Sequence, residues 1–177
     1  MIYNAAIMCR RLLVLLACSL WLTAAAACGP EPDLAASLKL VPEISGYYDP
    51  GLQPDGQNKL VPSMTFRIKN EGPLPINYVD IVIAYWPVGA DGEKDSLQIK
   101  GIGSTALEPG QTSEPFTVRS SVGYLSPMPR AEFFQSSYYT GFIIKVFAKR
   151  KGKTTPLGEF PVEARLLPAA KRDGARP

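Results

Sequence analysis

An all-β fold, an antiparallel sandwich of about seven strands, is what the sequence predicts, and three observations predict it. Ser63–Asn70 and Gly141–Arg150 alternate apolar and polar side chains with period two, the mark of half-buried strands. Clusters of Gly, Pro, Asp and Asn separate such stretches at short intervals. No convincing helical pattern occurs among them, and the one expected helix is an N-terminal signal segment that precedes the sandwich.

In chain order, Ser37–Ile44 predicts a first strand with Leu38 and Leu40 on one face. Gly46–Gly56, rich in Gly, Pro and Asp, reads as a loop that carries the pair Tyr47 and Tyr48. In Ser63–Asn70, Met64, Phe66 and Ile68 point one way and Thr65, Arg67 and Lys69 the other. Asn70–Pro73 is a turn. Pro75–Trp86 is apolar on both faces and so predicts a central strand. Gly89–Gly92 contains the Asp-Gly hairpin signal, and Leu97–Ile102 returns. Leu107–Thr112 is a tight turn before a strand over Pro115–Arg119. Lys151–Lys153 turns the chain after Gly141–Arg150. Leu157–Leu166 closes the fold with Phe160, Val162, Ala164 and Leu166 inward, and Pro161 assigns it to an edge or a bulge.

The N-terminus carries an address. Arg10 and Arg11 precede sixteen residues, Leu12–Ala27, interrupted only by Ser19 and Thr23. This is the layout of a secretory signal, and it is short of the ~20 apolar residues of a membrane span. Ala26, Ala27 and Cys28 resemble the lipobox of bacterial lipoproteins, although Ala25 stands where that family usually has Leu. The resemblance implies cleavage before Cys28, a diacylglyceryl group on its thiol, and acylation, palmitate included, of the new amino terminus. Two or more chains anchor a protein stably, at ~0.8 kcal/mol per buried methylene. Gly29 then implies the outer membrane if the host is Gram-negative. The competing reading is an A-x-A cleavage over Ala25–Ala27 that releases a soluble secreted protein. The organisation expected is therefore a signal over 1–27, a lipidated cysteine and tether over 28–36, a sandwich over 37–167 and a flexible tail over 168–177.

Arg10 and Arg11 are the only charged residues of the signal, so the remaining 17 basic and 16 acidic residues nearly balance. So small a net charge argues against nucleic-acid binding. Cys28 is the one cysteine left after cleavage, which excludes an internal disulfide. The chain has no histidine. That removes Ser-His-Asp catalysis and His-based zinc, and one thiol cannot build a Cys-based metal site. No phosphate-binding or nucleotide motif occurs, so no cofactor, no metal and no enzymatic activity is expected.

Phe66–Gly72, Ile76–Val79 and Leu107–Thr112 together resemble bacterial Ig-like envelope modules of the CARDB and FxLYD kind. Those modules carry a strand ending in K-N-x-G and an L-x-P-G-Q turn. The resemblance spans residues 64 to 119 and implies an Ig-like sandwich. Its motifs are turns, so it transfers no functional residue. The cysteines and tryptophan spacing of antibody domains are missing.

The candidate binding surface is the long connection from Ser120 to Thr140, with Tyr124, Phe133, Phe134, Tyr138 and Tyr139, joined by Tyr47 and Tyr48. Two readings stay open: the rings form a contact surface, or the connection folds over one end of the sandwich and buries Leu125, Phe133 and Phe134. Ala131–Gln135 is expected to make a short helical turn at most. Lys145, Lys149, Arg150, Lys151 and Lys153 form a basic run, read either as solvated strand faces or as a site for anionic lipid. The function expected is a membrane-anchored, non-catalytic envelope lipoprotein that binds another envelope or secreted protein. The alternative is a carbohydrate- or cell-wall-binding module that stacks sugar on these rings.

Overall fold

The computed structural model describes residues 30–168. The signal segment, its expected helix and Cys28 lie outside the described residues, as do positions 169–177. The fold is a sandwich of two antiparallel sheets. One contains β1 (Leu38–Leu52), β2 (Asn58–Asn70) and β5 (Phe116–Arg119) in that order, with the short β6 (Tyr124–Ser126) also paired to β2. The other runs β4 (Asp95–Ile102), β3 (Val79–Pro87), β7 (Phe142–Arg150) and β8 (Lys153–Pro161). Two single helical turns complete it, α1 (Leu34–Ser37) and α2 (Arg130–Phe133).

The alternation read from sequence is the alternation that buries. Met64, Phe66 and Ile68 of β2 are fully buried, and Ile81, Ile83 and Tyr85 of β3 lie beside Ile144 and Val146 of β7 in the same core. β3, apolar on both faces, lies between β4 and β7. β8 is an edge strand, as Pro161 requires, since proline cannot donate to a further ladder.

Among the described residues eight strands form, in line with the about seven expected; β6 is the addition, inside the connection read as a loop, because three residues are too few to show a period. Three expectations are corrected. The Gly46–Gly56 loop is strand as far as Leu52: Tyr47 pairs with Pro62 and Tyr48 with Val61. Register shifts between Pro42 and Ile44 and between Tyr48 and Gly51 absorb the prolines that suggested a loop. The tether is shorter than expected. Asp33 caps α1 by accepting from the Ala35 amide at 3.0 Å, and Leu34 joins the core.

The last strand ends at Pro161, so the inward set is also corrected. Val162 is buried, whereas Ala164 and Leu166 are exposed. Beyond β8 the chain crosses to the other sheet and runs parallel beside β1. The Tyr47 amide donates to Arg165 O at 2.8 Å, and the Leu167 amide donates to Tyr47 O at 2.9 Å. Leu167, the last residue expected in the sandwich, is therefore held.

Candidate functional site

The two ends of β2 are closed by different chemistry. At its C-terminal end stands Asn70, fully buried. Its Nδ2 donates to Leu74 O at 2.9 Å and to Leu107 O at 2.8 Å, and its Oδ1 accepts from the Gly72 amide at 3.0 Å. Its own amide donates to Gln111 O, and its carbonyl accepts from the Gly110 amide. One side chain thus joins the turn after β2 to the Leu107–Thr112 turn, and each of its polar atoms is used. Gly72 fits because a Cβ there would lie 2.3 Å from Ser37 Oγ, and Gly110 fits because its φ is +80°.

At the N-terminal end the 120–140 connection folds across the sandwich. Tyr124 enters through β6, whose residues pair with Leu60, Lys59 and Asn58 of β2. Gly123 allows the approach: a Cβ there would sit 2.1 Å from Leu60 O. Phe133 comes from α2, which the Arg130–Asp49 ion pair ties to β1. Tyr47 comes from β1 and Phe142 from β7. Their rings pack on one another with tilted or edge contacts. Tyr47 lies 5.3 Å from Phe134 and 5.7 Å from Tyr139, and Tyr124 lies 4.9 Å from Phe133 and 5.5 Å from Phe142. Such angles are favoured by the ring quadrupoles.

This places each predicted residue. Tyr47 is 0% exposed and Phe133 2%, so both are core. Tyr124, Phe134 and Tyr139 are half-buried in the same cluster. Tyr48 is half-buried under the Arg119 guanidinium, 3.8 Å above its ring. Tyr138 alone among the seven predicted aromatics points out, 74% exposed. Leu125, expected to be buried if the connection closed the end, is 54% exposed instead. β6 explains this: alternation buries Ser126 and turns Leu125 outward.

Between Leu125 and Tyr138 lies an apolar groove of about 330 Å³, walled by Tyr124, Pro127, Met128 and Phe133. Sequence reasoning named most of these residues but not the groove, because it depends on how β6 and α2 face each other. The Tyr124 hydroxyl props its rim, accepting from the Gly141 amide at 2.9 Å. Beneath the rings, the Tyr47 hydroxyl is buried near Tyr139 and the Phe142 backbone but makes no hydrogen bond of good geometry. Burial, followed by the neighbouring Tyr139, pushes its phenol well above the ordinary range.

The basic run lies on the β7–β8 hairpin. Lys145 pairs with Glu159 at 3.1 Å and stands 4.4 Å over the Trp86 ring; Lys149 reaches Gln98 at 3.5 Å. Arg150 donates to Asn77 at 3.3 Å. These cations are spread along a strand and engaged individually.

A second concavity of about 240 Å³ lies at the β1–β8 seam, above Met64 and Phe160. Glu43 and Glu163 line it, but each is committed to an arginine, Arg67 and Arg165 respectively. Among the described residues no group of three or more Cys, Asp or Glu side chains gathers as a metal site. Among the same residues no helix is long and apolar enough to cross a membrane.

A scan of the chain against protein-family models matches none of them, and a search of curated proteins finds no significant relative. What stands on the structure itself is the class: an all-β sandwich closed at one end by a hydrogen-bonded asparagine and at the other by a ring cluster bearing an apolar groove.

Proposed function

We propose that this chain is a lipid-anchored, non-catalytic protein of the bacterial envelope that binds another envelope or secreted protein through the groove between Leu125 and Tyr138. The observation that carries the binding role is the groove itself. It is the one place at that end where a leucine and a tyrosine stand exposed beside a concavity large enough for a partner's apolar side chain. The anchoring role rests on the Ala26-Ala27-Cys28 junction of the sequence.

The carbohydrate alternative needs several exposed, roughly coplanar rings. Tyr47 and Phe133 are buried, and the cluster's interplanar angles run from 46° to 89°. The protein-binding reading is therefore preferred.

Mass spectrometry of the mature amino terminus tests the anchor: a diacylglyceryl adduct on Cys28, lost in Cys28→Ala, is expected. An unmodified Cys28 thiol contradicts it. For the groove, deleting the 123–139 segment is unsuitable, since that removes β6 and the buried Phe133. The double variant Leu125→Ser, Tyr138→Ser changes only outward side chains. It is expected to keep the melting temperature within a few degrees and to lose the bound partner. A partner retained in full by the folded double variant refutes the groove.

A further inference from the structure

We propose that β4 pairs, antiparallel and edge to edge, with β4 of a second copy of this chain, joining two four-stranded sheets into one. Among the described residues the sandwich has five edge strands, β1, β5, β4, β8 and the three-residue β6. Exposed edges offer unpaired amides and carbonyls, and stable monomers blunt them with charged side chains, proline, bulges, short length or a covering segment; of these β4 carries only the charges of Asp95 and Lys100 and a bulge at its far end. β1 has Pro42, two register shifts and the crossing 165–167 segment beside it. β8 has Pro156, Pro161 and a register shift opposite Val146 and Phe147. β5 has four residues. β4 has eight residues and no proline, and its one irregularity is at its far end, opposite Val79 and Asp80.

The β4 sequence is also complementary to itself. A two-fold axis perpendicular to the sheet keeps inner faces together, so like-facing residues must oppose each other. With Gln98 opposite Gln98 of the second copy, Leu97 meets Ile99 and Ser96 meets Lys100, on both sides of the axis. The inner-face pair Leu97 and Ile99 is only half-buried at the flank of the core and gains cover from this register. Centring on Leu97 opposes Lys94 to Lys100, and centring on Lys100 opposes Lys100 to itself. Centring on Ile99 leaves Leu97 against Gly101. Charge and apolar pairing together select Gln98.

The test uses the full chain. Sedimentation over a concentration series is expected to show a monomer–dimer equilibrium. Gln98→Lys, an exposed position, is expected to weaken it roughly fivefold through like charges facing each other. Gln98→Cys is expected to form an interchain disulfide under mild oxidation, above the background that the unsubstituted chain's own cysteines set. Lys100→Cys is not, because two residues from the axis its Cα atoms are ~13 Å apart, beyond the ~7 Å limit. A chain that stays monomeric, or a dimer indifferent to Gln98→Lys with no crosslink at 98, overturns the proposal. So does a β4 edge that pairs only with a different protein. None of these outcomes bears on the Leu125–Tyr138 groove.

Discussion

The Asn70 end and the Tyr47 end of β2 solve the same problem, closing a sandwich, with opposite means. At the Asn70 end one polar side chain is fully buried and every donor and acceptor on it is used. At the Tyr47 end closure is by ring packing, and the buried Tyr47 and Tyr85 hydroxyls make no well-aligned hydrogen bond. A hydrogen-bonded lock is specific and leaves nothing over for a ligand. A ring cluster fills space less completely, and here it leaves a groove with Leu125 and Tyr138 outward.

The sharpest way to break this contrast is at Asn70. Asn70→Ala strands Leu74 O and the Gly72 amide, at about 1–3 kcal/mol for each unpaired buried group, and leaves Leu107 O with the Ile76 amide alone. Urea unfolding is expected to show a loss of about 3–5 kcal/mol; a loss below 1 kcal/mol would mean that the lock is ornamental. Next in size is Gly123→Ala. The added methyl meets the Leu60 backbone rather than a movable side chain. Overpacking of this kind costs about 1–3 kcal/mol, and the same urea titration reads it.

One polar group at the Tyr47 end is well satisfied, and pH probes it. Asp95 Oδ2 accepts from Ser120 Oγ at 2.7 Å and from the Ser121 amide at 2.6 Å. Partial burial alone would push its carboxyl up. The hydrogen bonds from Ser120 and Ser121 together outweigh burial and hold it below the usual carboxylate range. A lowered folded-state value makes its stabilisation fully present above about pH 4 and lost as pH falls through that lowered value. Asp95→Asn is expected to flatten that acid limb of the stability curve. An unchanged slope would remove Asp95 from the account.

The smallest effect is expected at Tyr47. Tyr47→Phe deletes a hydroxyl that makes no well-aligned hydrogen bond and keeps the ring, so stability should stay equal or rise by up to about 1 kcal/mol. A marked loss would show that the hydroxyl is bonded after all. The comparison with Asn70→Ala is then direct: both positions are fully buried, and only one polar group matters.

The two ends also differ in how far the sequence revealed them. The Asn70 turn was legible because its residue choices are local: Asn and Gly two apart, then Pro-Gly in the second turn. That Asn70 links the two turns was not legible, since Leu107 lies far along the chain. Strand alternation located most of the core, because period two is local as well. Tyr47 misled, because Gly46, Pro50 and Gly51 signal a loop, whereas register shifts let β1 continue past them. The groove was the least legible feature. The aromatic residues were visible, but whether each ring turns in or out is set by a three-residue strand and a four-residue helical turn that carry no period of their own.

The two ends offer a matched pair of exposed tyrosines, Tyr78 beside the Asn70 turns at 64% exposure and Tyr138 at the groove. A photo-crosslinking amino acid placed at 138 or at 78, one at a time in cells, asks which end meets a partner. A discrete protein adduct is expected from position 138 and none from position 78. Adducts of equal strength at both, or from 78 alone, would contradict the account.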